Sequence, residues 1–146
     1  MKNIWIFNHY ATKPDEPATR EYDIGRELVN RGHKVTIFAS SFSHYELKEK
    51  YLLADEKWKA ESYNGVNFFW IKTFSYKKNN WRRAINMLSY AWNTFWISGK
   101  IKERPDMVIG TCVHPFAVLS AYFISKQKKS RFFFEVTEPW PQTLID

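Results

Sequence analysis

Three short stretches of this chain concentrate the side chains that could do chemistry. The first is Asn8, His9 and Tyr10, followed by Asp15, Glu16, Thr19 and Arg20. An imidazole, a phenol and a guanidinium between an apolar run and a helix start suit an anion or a sugar phosphate. The stretch holds no glycine, so it cannot cradle a diphosphate on backbone N–H groups as a glycine-rich loop does. Asp15, Glu16 and Thr19 also read as caps for the positive end of that helix. His9 and Arg20 serve either a ligand or the fold.

The second stretch is Gly110-Thr-Cys-Val-His-Pro-Phe. His114 stands between a strand and a helix. There it can donate to a phosphate or a sugar hydroxyl, act as a base near neutral pH, or pack as a hydrogen-bonded histidine. Cys112 has neither a partner cysteine nor a base and reads as a small buried residue. The third stretch is Glu135-Val-Thr-Glu-Pro-Trp-Pro. Glu135, Thr137, Glu138 and Trp140 beside His114 make a sugar-binding set, or a proline-fixed turn with Trp140 as a core plug. No zinc spacing, P-loop or Gly-x-Ser-x-Gly motif occurs, and no metal site is expected.

The elements that must position these stretches follow from periodicity. Ile4, Trp5, Ile6 and Phe7 form a short apolar run, as in a strand buried on both faces. Tyr22, Ile24, Leu28 and Val29 recur at helical spacing, and Gly32 stands where a helix ends. Residues 35–39 form a second strand, so the unit is strand, crossover helix and parallel strand. Residues 40–63 are polar, with a helical turn or two expected near 46–53. Asn64-Gly65 signals a turn, and 66–71 is a third strand. Residues 81–101 read as a long helix with Trp81, Ala84, Ile85, Leu88, Ala91, Trp92, Phe95 and Trp96 as its apolar face, Leu88, Ala91 and Phe95 being expected on the sheet. Residues 107–110, 116–126 and 131–136 add a strand, a helix with Pro115 at its start, and a last strand. The alternation predicts a doubly wound, Rossmann-like parallel sheet in strand order 3-2-1-4-5. Ligands of such sheets bind beyond the carboxyl ends of the strands, which directs attention to 8–20 and 40–45, His44 included.

Composition agrees with one domain in 146 residues, 45% hydrophobic and 25% charged. The single cysteine excludes a disulfide framework and fits a reducing compartment. No secretory signal and no run of transmembrane length is present, so a cytoplasmic protein is expected. The net charge of +7 implies an anionic partner. Residues 72–104 carry eight basic side chains against one acid, Glu103. Lys77, Lys78, Trp81, Arg82 and Arg83 cluster at the start of the long helix, a composition typical of an interfacial membrane contact. Single-stranded nucleic acid is the rival for such a surface. No RNA-binding signature occurs, and nucleic acid is not expected as a partner.

These motifs together carry a family resemblance. NHYATKPDEPATREYDIGRELVNRGHKVTIFASSFSHY, NGVNFFWIKTFSYKKNNWRRAINMLSYA, PDMVIGTCVHPFAVLSAYFISK and FFFEVTEPWPQTLID resemble the amino-terminal half of bacterial family-4 glycosyltransferases. The similarity is to those of capsule and O-antigen clusters, including N-acetylfucosamine transferases, and it spans nearly the whole chain. It implies the GT-B architecture, in which a first Rossmann-like domain receives the acceptor and a second binds the nucleotide sugar. It also implies metal-independent, retaining transfer without a cofactor, to a lipid-linked or soluble saccharide acceptor at the inner face of the plasma membrane. The resemblance makes His114 and Glu138 the candidate catalytic residues. It makes His9, Tyr10, Arg20, His44, Glu135, Thr137 and Trp140 the acceptor-binding set, with the basic cluster facing the membrane. Relatives carry a glycine-rich first loop and read Glu-Val-Arg-Asp-x-Trp-Pro where this chain has Thr137 and Glu138. Losing that Arg removes a donor fork suited to phosphate. The donor-binding domain is absent from residues 1–146, so this domain alone is expected to be inactive. The alternative is a non-catalytic remnant, or one subunit of a split transferase with its donor domain in trans. A homodimer is a further expectation from so aromatic a surface.

Overall fold

The computed structural model describes residues 1–137. The order is β1 (Asn3–Phe7), α1 (Arg20–Asn30), β2 (Lys34–Ser40), β3 (Phe42–Ser43), β4 (Lys48–Glu49), β5 (Trp58–Tyr63), β6 (Val66–Ile71), α2 (Trp81–Lys100), β7 (Met107–Thr111), α3 (Pro115–Gln127) and β8 (Arg131–Glu135). Six strands form one sheet in the order β5-β6-β2-β1-β7-β8. Every neighbouring pair is parallel except β5 with β6. The architecture is mixed α/β, compatible with a Rossmann-like fold. The five strands read from the sequence stand in the expected order, and β5 is added at one edge.

β1 is the central strand, which explains its unbroken apolar run. Ile4 and Ile6 pack with Val35, Ile37, Phe68 and Trp70 against Leu28 and Val29 of α1. Trp5 and Phe7 pack with Phe38, Ile71 and Val108 against Phe95 and Ile97 of α2 and Ala121 and Ile124 of α3. The crossover helix α1 ends as its glycine predicts. Gly32 has φ +82°, its N–H donates to Val29 O (2.9 Å), and the N–H of His33 donates to Leu28 O (3.0 Å). These paired bonds close the last turn.

The tract at 40–63 differs from the sequence reading. In place of helical turns near 46–53 it forms the small antiparallel hairpin β3–β4. Residues 58–63 then form the edge strand β5, joined to β6 by a two-residue turn with φ of 49° at Asn64 and 84° at Gly65. Lys59 and Glu61 pair at 2.6 Å, and Glu61 also accepts from Trp70 Nε1 (3.0 Å). Charges on an edge strand mask its β pattern while they block further pairing.

The larger correction concerns α2. Of the residues expected on the sheet, Phe95 packs there but Leu88 is 50% exposed, and Trp92 and Trp96 of the same predicted face are 65% and 49% exposed. The buried face is Asn86, Tyr90, Thr94 and Ser98, at four-residue steps. Part of the reason is the surface beneath, where backbone carbonyls near the end of β2 and beyond β6 accept from side chains of α2. Tyr90 Oη donates to Phe38 O (2.6 Å), and Asn86 Nδ2 donates to Phe74 O (2.6 Å). Among the described residues no helix is long and apolar enough to cross a membrane.

α3 sits so close to the sheet that a Cβ at Gly110 of β7 would lie 3.0 Å from Ala121 Cβ and 3.3 Å from Phe132. Gly110→Ala is expected to cost about 1–3 kcal/mol through this overpacking. Urea denaturation monitored by Trp fluorescence would show the lower midpoint; an unchanged midpoint would refute the close seating.

Candidate functional site

The site is built at the carboxyl ends of the central strands. Asn8, His9 and Tyr10 leave β1, and Asn8 Oδ1 accepts from the Tyr10 N–H (2.9 Å), which turns the chain. His114 follows β7 and is the N-cap of α3, where its Nδ1 accepts from the Ala117 N–H at 3.2 Å. A neutral His114 therefore carries its proton on Nε2. That nitrogen lies 2.6 Å from His9 Nδ1, so His114 donates and His9 accepts. The His9 proton then sits on Nε2. The Asn86 side chain lies near the His9 ring, and its Oδ1 is buried without a hydrogen-bond partner among the described residues. The helix cap thus sets the tautomer of two rings in succession.

Burial, followed by the nearby His114, His44 and Arg83, holds the His9 pKa well below the ordinary value. Burial and Arg83 push that of His114 down to about 3. His9 is 2% and His114 0% exposed. His114, the expected catalytic base, has both ring nitrogens engaged. It positions His9 and α3 and presents no free lone pair.

Around this pair the rings form a stack. His9 lies 4.4 Å from Tyr90 at 9° and 4.5 Å from Tyr10 at 28°, and Tyr10 lies 4.9 Å from His44. His44 Nδ1 is hydrogen-bonded to the hydroxyl of buried Tyr76. Burial and then Arg83 lower the His44 pKa. One face of α2 supplies Arg83, Asn86 and Tyr90, at steps of three and four residues. Asn86 Nδ2 also donates to Thr73 Oγ1 (3.0 Å), which is 2.8 Å from Ser40 Oγ. The crevice between His9, Tyr10, His44, Tyr45 and Tyr51 holds only about 10 Å³, too little for a sugar or a phosphate among these rings.

Arg20 and Glu135, both in the expected binding set, are brought together across 115 residues at 2.5 Å. Arg20 also meets Glu21 (3.2 Å), and Thr111 Oγ1 donates to Glu135 Oε2 (2.8 Å). The Arg20 hydrogen bond holds the Glu135 carboxyl below its usual range, and the Arg20 pKa is raised in turn. Arg20 is thereby neutralised, contrary to a free phosphate donor. Thr137 is exposed at the end of β8. Glu138 and Trp140 lie outside the described residues. Asp15 and Glu16 do not cap α1. Asp15 has φ +70°, and Glu16 binds the Tyr51 hydroxyl and Lys50 (3.1 Å). Thr19 is the N-cap residue, but its hydroxyl goes to Asp23 Oδ2 (2.8 Å).

Lys77, Lys78, Trp81 and Arg82 are exposed as expected, whereas Arg83 turns inward toward Tyr10 Oη (3.5 Å). Cys112 is buried, and burial raises its thiol pKa. Among the described residues no group of three His, Cys, Asp or Glu could hold a metal ion. Sequence reasoning missed Tyr76, Asn86 and Tyr90. The signal for the last two was the polar residue every fourth position along an otherwise apolar helix. A scan against protein-family models finds no match, and a search of curated proteins finds none.

His114→Ala removes a cap and leaves His9 Nδ1 without its donor, an expected loss of about 2–4 kcal/mol in chemical denaturation. Both histidines have folded pKa values below the unfolded value of about 6.5. Their contribution is therefore full above that pH and is lost as pH falls below it, for His114 down to about 3 at roughly 1.4 kcal/mol per pH unit. Imidazole ¹⁵N shifts should show His9 and His114 as neutral Nε2–H tautomers at pH 5. Protonation of either ring at pH 6 would refute the relay.

Proposed function

We propose that this chain is the acceptor-side domain of a GT-B sugar transferase, a doubly wound Rossmann-like domain that works against an anionic membrane surface. The observation that carries the reading is the double use of α2. Its inner face delivers Arg83, Asn86 and Tyr90 to the strand ends. Its outer face displays Trp81, Leu88, Trp92 and Trp96. Trp58, Trp92 and Trp96 line an open groove of about 690 Å³ with Lys57, Lys72 and Lys100. Exposed indoles among lysines suit the headgroup region of a bilayer, and each basic residue near an anionic leaflet adds about 1 kcal/mol. A helix with one face in the cleft and the other on the lipid would bring a lipid-linked saccharide to the strand ends. The nucleotide-sugar donor would be bound by a second domain, in cis or in trans, and a second copy of this chain is a further partner for the exposed aromatics. This reading places the domain on the inner face of the plasma membrane and requires neither metal nor cofactor.

One observation favours the second reading, a non-catalytic binding or assembly module. Both nitrogens of His114 and the guanidinium of Arg20 are already engaged, so neither serves as a free base or phosphate donor.

Flotation with anionic and neutral vesicles tests the membrane face. The chain is expected to float with anionic vesicles only. Lys77→Glu, Lys78→Glu and Arg82→Glu together, or Trp92→Ser with Trp96→Ser, should lower binding on the order of tenfold or more. Equal binding by these variants would refute the surface. Restored transfer to a lipid-linked sugar when a donor-binding domain is supplied in trans would separate the transferase from the module.

A further inference from the structure

Arg83 has no counter-ion among the described residues and, unlike half-buried Lys72 and Lys128, which donate to backbone carbonyls, it has no backbone carbonyl partner there either. Arg20 has Glu135 and Glu21, Lys34 has Glu103, and Lys50 has Glu16 and Glu46. Arg83 is half-buried and meets no carboxylate among the described residues. Its Nη1 donates to Asn79 Oδ1 (3.2 Å) and its Nη2 reaches Tyr10 Oη (3.5 Å), while its Nε is buried with no partner. The groups that feel its charge are His9, His44, His114, Tyr10 and Tyr76. All five are neutral near pH 7, so nothing among them offsets the guanidinium. A cation taken partly out of water is normally paired.

The chain around it deepens the imbalance. Lys77, Lys78, Arg82 and Arg83 fall within seven residues that contain no acid. The first turn of α2 has no acidic residue either, although the positive end of a helix favours one. The site stands at the carboxyl edge of the sheet, beside the Tyr10 hydroxyl, where ligands of such sheets bind.

We infer that Arg83, with the Tyr10 hydroxyl, is the binding site of a phosphate oxyanion on the ligand, and that Lys78 and Arg82 close over its outer oxygens. The guanidinium fork matches two oxygens of a phosphoryl group. Arg20, saturated by Glu135, is not the anion-binding arginine. The assignment of that anion to a lipid-linked acceptor rests on the function proposed above; the oxyanion site itself does not.

Isothermal titration calorimetry of the whole chain with sodium pyrophosphate, at low ionic strength and without vesicles, tests the site. Wild type should bind. Arg83→Gln should weaken binding at least tenfold, Arg83→Lys should keep part of it, and Arg20→Gln should stay within twofold of wild type. The thermal midpoint of Arg83→Gln should equal or exceed that of wild type, since an unpaired cation is removed, so lost binding is not lost folding. Wild-type affinity in Arg83→Gln, or no binding of pyrophosphate by wild type, would overturn the inference. So would a loss produced by Lys77→Gln with Lys78→Gln but not by Arg83→Gln, which is the mark of loose surface binding. Geranyl diphosphate and uridine diphosphate, run in parallel, identify the source as lipid or nucleotide by the tighter of the two. No membrane enters this assay, so its failure and a failed flotation are separate results.

Discussion

The contact between His9 and His114 is the constraint on which the site depends. It joins the ends of β1 and β7 by one hydrogen bond, and its direction is dictated from outside. The Ala117 N–H at the start of α3 needs an acceptor, and His114 Nδ1 is that acceptor. Every later proton position follows. With both rings neutral and committed, His9 becomes a flat wall against which Tyr90 and Tyr10 stack. A protonated ring would have no lone pair to offer its partner, so the arrangement is rigid in the pH range where the rings stay neutral.

The inversion of α2 follows from the same region. Backbone carbonyls near the end of β2 and beyond β6 accept from side chains of α2. A helix crossing them does better with Asn86 and Tyr90 inward than with tryptophan. The indoles are left outside, on a face flanked by Lys57, Lys72 and Lys100. One helix then carries Asn86 and Tyr90 on the face toward the strand ends and exposed indoles on the opposite face.

Charge is distributed with the same economy. Arg20 and Glu135 close a pair that bridges α1 and β8, with Thr111 holding the second carboxylate oxygen. Such a half-exposed pair adds little stability, but it orients the ends of three elements. Arg83 stands opposite without a carboxylate. Of these two arginines, the first is paired within the scaffold and the second has no counter-ion among the described residues.

Five of the six strands of the main sheet, and their order, were legible in the residues alone. An unbroken apolar run such as Ile4-Trp5-Ile6-Phe7 is compatible only with a strand covered on both faces, and Gly32 and Asn64-Gly65 mark chain reversals that other residues resist. His9, Arg20, His114 and Glu135 were legible as candidates because they stand just beyond such strands. Their roles were not. Whether Arg20 or Arg83 meets a carboxylate is settled by a partner 115 residues away, and the proton on His9 is settled by a helix cap at residue 114. β5 was hidden because an edge strand needs only one buried face, and its charges obscured the alternation. The facing of α2 was legible only in part, with Phe95 inward but Leu88 outward, because helical periodicity shows that two faces differ, not which one turns inward. That choice belonged to the surface beneath it, and only the tertiary structure contains that surface.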